Sequence, residues 1–190
     1  VIDYVSPLFP NIEFIEQREQ LGTGHAVLQS KEALQNFDGD VLVLSGDVPL
    51  LTEQTVKALV GFHPTSEADA TILTAEIDDP TGYGRIIRNK DESVMKIVEQ
   101  KDAAKKELRI KEINSGIYVF NKQRLFETLA LITPNNAQSE YYLTDVFEHF
   151  RNNQLHVAAV KAIDAEEILG INDANQLEKA RRTLLARTAK

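Results

Sequence analysis

Apolar and β-branched residues recur along this chain in short runs, with helix-patterned stretches between them. Such runs, bounded by Gly, Pro, Asn, Asp or Ser, predict strands at IEFIE (12–16), VLVLS (41–45), ATILTAEI (70–77), SVMKIVE (93–99), INSGIYVF (113–120) and HVAAVKA (156–162). Helical spacing covers 23–36, 53–62, 122–132, 144–152 and 173–188. The last of these opens on DANQ, an acidic cap followed three residues later by Gln. The order β-α-β-α-β predicts an α/β fold with a mainly parallel, doubly wound central sheet flanked by helices. Between 84 and 120 the strands follow one another with only the charged segment 101–107 between them, which predicts a small antiparallel excursion.

VIDYVSPLFPNIEF reads as the end of a helix, a proline-bearing connection and then a strand. A doubly wound nucleotide fold opens on a strand and a glycine-rich loop, so an amino-terminal truncation is expected. No Pro/Gly/Ser-rich linker divides residues 1–190, which read as a single domain.

Composition narrows the function classes. At 190 residues and 43% hydrophobic, the chain can bury a substantial core. No apolar stretch approaches the roughly 20 residues that span a bilayer, and the first residues lack a signal-peptide pattern. With no cysteine there is no disulfide framework and no thiolate chemistry, which fits a reducing cytoplasm. A net charge of −8 argues against nucleic-acid binding, which needs a basic stripe. An acidic chain can still bind phosphates through local Lys/Arg or a divalent metal.

Open α/β sheets bind ligands beyond the carboxyl ends of their strands. VLVLSGDVPLL carries an apolar run that fits a central strand buried on both faces, then Ser45, Gly46, one acid and a proline that turns the chain away. Asp47 at that end is either a Mg²⁺ ligand, hard oxygen beside a glycine, or a turn or cap acid. Asp38-Gly39-Asp40 matches the Asp-x-Asp pattern of metal-dependent glycosyltransferases, but it lies at the strand's amino end, roughly 20 Å from the carboxyl-end crevice, and carries a turn signal.

GTGHAV (22–27) and TGYGRI (81–86) each hold a Gly-x-Gly, with Val27 and Ile87 where a dinucleotide fingerprint needs its third glycine. They are either ordinary turns or places of close backbone approach to a ligand. Glu99, Lys101 and Asp102 follow a strand and Asn114 lies in the next. They form either a solvated turn or a set of groups suited to sugar hydroxyls. The histidines lack paired ligand spacing, and neither a Walker A lysine nor a Gly-x-Ser-x-Gly elbow is present.

Taken in order, EQLGTGHAV, LSGDVPLL, DDPTGYGRI, IVEQKDA, EINSGIY, NNAQSEYYLTD and GINDANQL resemble the motifs of the N-acetylglucosamine-1-phosphate uridyltransferase family. That activity is the pyrophosphorylase half of a bifunctional bacterial uridyltransferase/acetyltransferase. The resemblance runs from about Glu16 to Leu177 and implies a Rossmann-like nucleotidyltransferase fold. It implies that Gln17, Gly22 and Thr23 contact uracil, and that Ser45 and Gly46 line the nucleoside pocket. It assigns Mg²⁺ to Asp47 and Asn172. The N-acetylglucosamine moiety would lie against Gly84, Glu99 and Asn114, with Tyr142 and Thr144 nearby. Lys101 and Arg85 would be phosphate-side cations.

The implied reaction joins UTP and N-acetylglucosamine 1-phosphate into UDP-N-acetylglucosamine and pyrophosphate, for cell-envelope precursor synthesis in the cytoplasm. Its nucleophile is already an anion, so no general base is needed. Two parts of the family pattern have no counterpart here: the amino-terminal glycine-rich loop with its Arg and Lys, and the carboxyl-terminal acetyltransferase β-helix, through which the family trimerises. Little or no turnover is therefore expected of this chain. The alternatives are a sister enzyme using another sugar 1-phosphate, a non-catalytic nucleotide-sugar binding module, and a glycosyltransferase using Asp38 and Asp40.

Overall fold

The computed structural model describes residues 1–188. Its elements are α1 (Ile2–Val5), α2 (Thr23–Leu28), β1 (Asp40–Val43), α3 (Glu53–Thr65), β2 (Ala70–Glu76), β3 (Arg85–Arg88), β4 (Val94–Val98), β5 (Glu112–Asn121), α4 (Lys122–Leu129), α5 (Asp145–Asn152), β6 (Val157–Lys161) and α6 (Ala174–Thr188). The fold is α/β. The sheet runs β4-β3-β5-β2-β6, and β1 adds to the edge of β5 opposite β2.

Strands β1, β2, β3 and β6 all point one way, as a mainly parallel sheet expects. Hydrogen-bonded pairs are a different matter. Among the described residues only β2 and β6 pair in parallel, because β5 returns antiparallel between β1 and β2. The excursion expected over 84–120 is present, and its last strand is central to the sheet.

Other expectations change with it. Residues 12–16 form no strand, and Ile12, Phe14 and Ile15 are exposed. Alternation needs a pairing partner to become a strand, and none among the described residues adjoins this segment. Strand β1 ends at Val43 and has a described neighbour on the β5 side alone, so the expected central place does not hold; Val41 and Val43 pack half-buried on one face of the sheet and Leu42 on the other. The short strand β3 lay hidden in TGYGRIIR, where glycines and arginines mask two apolar positions. The stretch 23–36 divides into α2 and a 3-10 turn at Gln29–Lys31.

Strand alternation splits the core between the two sheet faces. Ala70, Ile72, Tyr118 and Phe120 pack with Leu125, Phe147 and Phe150 of α4 and α5. There the Phe120 and Phe147 rings stack with centroids 5.4 Å apart. Leu73, Ala75, Ile113, Ile117 and Val119 face the other way, against Leu59 of α3 and Ile168. Helix caps follow from sequence: Thr52 Oγ1 accepts the Thr55 N–H at 3.2 Å, and Asn121 Oδ1 accepts that of Arg124 at 3.1 Å. No helix among the described residues is long and apolar enough to cross a membrane.

Candidate active site

The site begins with an irregularity in β5. Ile72 faces Tyr118 but Thr74 faces Asn114, so Ser115 and Gly116 bulge from the ladder. Ser115 Oγ fastens the bulge, donating to the Leu73 carbonyl at 2.6 Å and accepting the Ile117 N–H at 3.0 Å. Gly116 sits at φ +75°, and a Cβ there would fall on Ser45 Oγ, which donates to the Gly116 carbonyl at 3.1 Å. EINSG thus uses its serine and glycine to bend β5 toward the loop after β1.

The bend opens a cavity of about 490 Å³ at the carboxyl end of β1. Ser45, Gly46 and Asp47 line one wall. The Asp47 carbonyl accepts the Ile171 N–H at 2.9 Å, which draws the GIND loop onto it and brings Asn172 to the same cavity. Gly170 is needed for that approach, since a Cβ would stand 2.8 Å from Asp47 Oδ2. The Asp47 carboxylate is exposed and has no ion pair among the described residues.

The opposite wall carries Gly84, Glu99, Asn114 and Thr144. The Asn114 N–H donates to the Gly84 carbonyl at 2.9 Å, and Asn114 Nδ2 donates to Tyr118 Oη at 2.7 Å. Thr144 Oγ1 donates to Glu99 Oε1 at 2.9 Å, while a Cβ on Gly84 would lie 3.3 Å from Glu99 Oε2. Burial raises the Glu99 pKa against the Thr144 hydrogen bond, with the Asp102 charge adding to the rise. Neighbouring Asp145 is pushed up to about 6 by burial and then by Glu148, Glu99 and Asp102.

Thr23 closes the third side, its Oγ1 accepting the Leu143 N–H at 3.0 Å. Gly24 N–H donates to the Tyr141 carbonyl at 2.8 Å, so GTGHA is docked on YYLTD through backbone contacts that side chains would block.

Several expected site residues stand outside the cavity lining. Gln17 Nε2 bonds the Gly22 carbonyl at 3.1 Å and His25 Nδ1 at 2.9 Å. Gly22, at φ +108°, precedes α2 against Tyr141. Lys101 reaches Gln138, and Asp102 accepts the Ala137 N–H at 2.9 Å, so this turn fastens the loop 135–140. Tyr142 is 6% exposed; burial, then Asp102, Glu99 and Glu140, push its hydroxyl up to about 12 against an interaction with the Gln138 side chain. Arg85 is buried under the turn 81–84. Asp40 lies at the amino end of β1, its Oδ1 3.6 Å from His63 Nε2, and Asp38 lines a separate groove.

Lining residues not singled out from sequence include Tyr83, Ser115, Gly116 and Gly170. The signal for Gly116 was a glycine inside a strand pattern, which marks a bulge. Tyr83 stood between two noted glycines; burial and the Asp47 charge raise its pKa, against a hydrogen bond from the Gly170 backbone. Nothing local announced Gly170, whose role depends on a loop over a hundred residues from Asp47.

The chain is 52% identical over 178 residues to the bifunctional protein GlmU of Streptococcus uberis, covering 94% of this chain and 39% of that protein. GlmU of Streptococcus mutans is 51% identical over 175 residues, covering 92% of this chain and 38% of the relative. The chain thus spans about two fifths of the length of these curated relatives. Among solved structures, a UDP-glucose pyrophosphorylase complexed with UDP-glucose superimposes with a TM-score of 0.69 at 14% identity, covering 98% of this chain and 71% of that one. At that identity the likeness speaks for the fold. A nucleotidyl transferase family model matches residues 3–166, and with it the chain belongs to the nucleotidyl transferase family.

Proposed function

We propose that this chain is the uridyltransferase part of a protein that converts UTP and N-acetylglucosamine 1-phosphate into UDP-N-acetylglucosamine and pyrophosphate. The observation that carries this reading is convergence. Each sequence stretch that resembles the uridyltransferase motifs, from GTGHA to GIND, contributes a lining residue to one cavity. Family membership and identity above half to the GlmU relatives support the same reaction class.

In the proposed step a phosphate oxygen of the sugar phosphate attacks the α-phosphorus of UTP in line, and pyrophosphate leaves with the bonding pair. The attacking oxygen is ionised at neutral pH, so the protein has to position two polyanions rather than move a proton. Ser45, Gly46 and Thr23 form the nucleoside side of the cavity. Glu99 and Asn114 accept and donate hydrogen bonds to sugar hydroxyls and the N-acetyl group, and Thr144 holds Glu99 in place.

The exposed Asp47 carboxylate and the Asn172 amide are hard oxygen donors that fit Mg²⁺, an ion that keeps several waters and needs few protein ligands. When bound there, the ion offsets phosphate charge. Among the described lining residues no lysine or arginine does so, which supports slow turnover by these 190 residues despite ligand binding. Soluble phosphorylated substrates support a cytoplasmic setting.

Calorimetric titration with UDP-N-acetylglucosamine and UDP-glucose in Mg²⁺, paired with a pyrophosphate-release assay, tests the reading. Saturable binding is expected, tighter for UDP-N-acetylglucosamine by about tenfold, the scale of losing one good hydrogen-bonding group. A preference for UDP-glucose would point to the sister enzyme, and no binding of either would end the proposal. Rapid pyrophosphate release would overturn only the expectation of slow turnover.

A further inference from the structure

Arg85 opens β3 directly after the turn 81–84 and is 2% exposed. A guanidinium taken out of water is costly unless its donors are used. Both terminal nitrogens are used, one on the turn and one on the side chain that holds it. Nη1 donates to the Tyr83 carbonyl, and Nη2 donates to Gln100 Oε1 at 2.9 Å. The same Gln100 oxygen accepts the Gly82 N–H at 3.2 Å. Arg85 itself does not line the cavity, whereas Gly82, Tyr83 and Gly84 do.

The remaining donor, Nε, is buried without a partner among the described residues. An aliphatic side chain would fill this place in the sheet without burying a charge or orphaning an N–H. It could not hold the Tyr83 carbonyl and Gln100 together. Gly84 is also tied to β5 through Asn114, but the Gly82 amide and the Tyr83 carbonyl depend on the Arg85–Gln100 pair. Gln100 follows Glu99 directly, so the pair links the turn to the carboxylate beside Gly84.

We propose that Arg85 is a positioning residue: with Gln100 it clamps the turn 81–84 at the cavity and sets where Tyr83 and Gly84 meet the sugar end of the ligand. The ligand's identity rests on the uridyltransferase reading; the clamp is a property of the free chain. On this account Arg85 acts on the substrate through the turn, not as a cation on phosphate.

The test compares Arg85→Met, Arg85→Lys and Gln100→Leu with the unmodified chain by amide hydrogen exchange and calorimetry. Without ligand, exchange at residues 82–84 is expected to accelerate by about tenfold or more in Arg85→Met and Gln100→Leu, with β2 and the rest of β5 unchanged. Affinity for UDP-N-acetylglucosamine is expected to fall by about ten- to a hundredfold, the usual scale for residues that orient contacting groups, while UMP affinity stays within about twofold. Arg85→Lys recovers part of the loss, since an ammonium can meet one of the two acceptors.

Parallel loss of UMP and UDP-N-acetylglucosamine affinity in Arg85→Met would assign it to phosphate and overturn the proposal. So would unaltered exchange and binding in Gln100→Leu. If Arg85→Met does not fold, Gln100→Leu and Arg85→Lys carry the test. If the unmodified chain binds no UDP-N-acetylglucosamine, the uridyltransferase reading fails while the exchange measurement still decides the clamp.

Discussion

Gly46 and Gly116 both line the cavity, and an added methyl group would do opposite things at the two positions. At Gly116 the backbone is left-handed and a Cβ would meet Ser45 Oγ, so Gly116→Ala must break the Ser45 contact and strain the bulge. Urea unfolding is expected to show a loss of about 1–3 kcal/mol. At Gly46 nothing lies within 4 Å of the new carbon, so Gly46→Ala is expected to change stability by no more than about 0.5 kcal/mol. It should nonetheless weaken UDP binding, because the methyl projects where the nucleoside is proposed to lie. Equal effects on stability at the two sites would contradict this account of the bulge.

Asp145 gives a residue-scale test in pH. Its folded pKa, about 6, lies above the ordinary 3.8, so the folded protein holds that proton more tightly than the unfolded chain. The group's stabilising contribution is therefore complete below about 3.8 and is lost as pH rises through about 6. Asp145→Asn is expected to flatten the stability profile between about pH 4 and 7 by about 1 kcal/mol, allowing for screening at a half-exposed site. Denaturant midpoints across that range measure it, and a profile as steep as the original would refute it.

At the scale of elements, local patterns located part of the fold. The alternation in β2, β5 and β6 places those strands within a residue or two, and helical spacing places the starts of α3 and α4 at Glu53 and Lys122. What sequence left open depends on partners. IEFIE has strand character but no described neighbour, and β5 looked like the end of an excursion although it lies between β1 and β2. The same limit applied to the site. Asp47 and Glu99 follow strands and Asn114 lies near the start of another, places that periodicity locates, whereas Arg85 and Lys101 stand outside the cavity lining, bonded to Gln100 and Gln138. The β5 bulge is the element on which the site depends most. Ser115→Ala would leave a buried carbonyl and a buried amide unpaired, and is expected to cost about 1–3 kcal/mol in thermal or urea unfolding. A loss well under 0.5 kcal/mol would mean that the bulge is held by Gly116 and Ser45 alone.

Across the whole molecule, the net charge of −8 and the cavity carboxylates Asp47 and Glu99 set a field that repels the proposed polyanionic substrates. Without a divalent ion that repulsion is offset by none of the described lining residues. Affinity for UDP-N-acetylglucosamine is therefore expected to fall by about tenfold or more when Mg²⁺ is replaced by EDTA, equivalent to about 1.4 kcal/mol. Added salt should then partly restore binding in EDTA, because screening weakens repulsion, while weakening it in Mg²⁺, where attraction dominates. Asp47→Ala should abolish the Mg²⁺ dependence, and Asp40→Ala, at the far end of β1, should leave it intact. Calorimetry at two ionic strengths, with and without the ion, separates these outcomes. Binding indifferent to Mg²⁺, or dependence lost with Asp40 and kept without Asp47, would move the ion away from the end of β1.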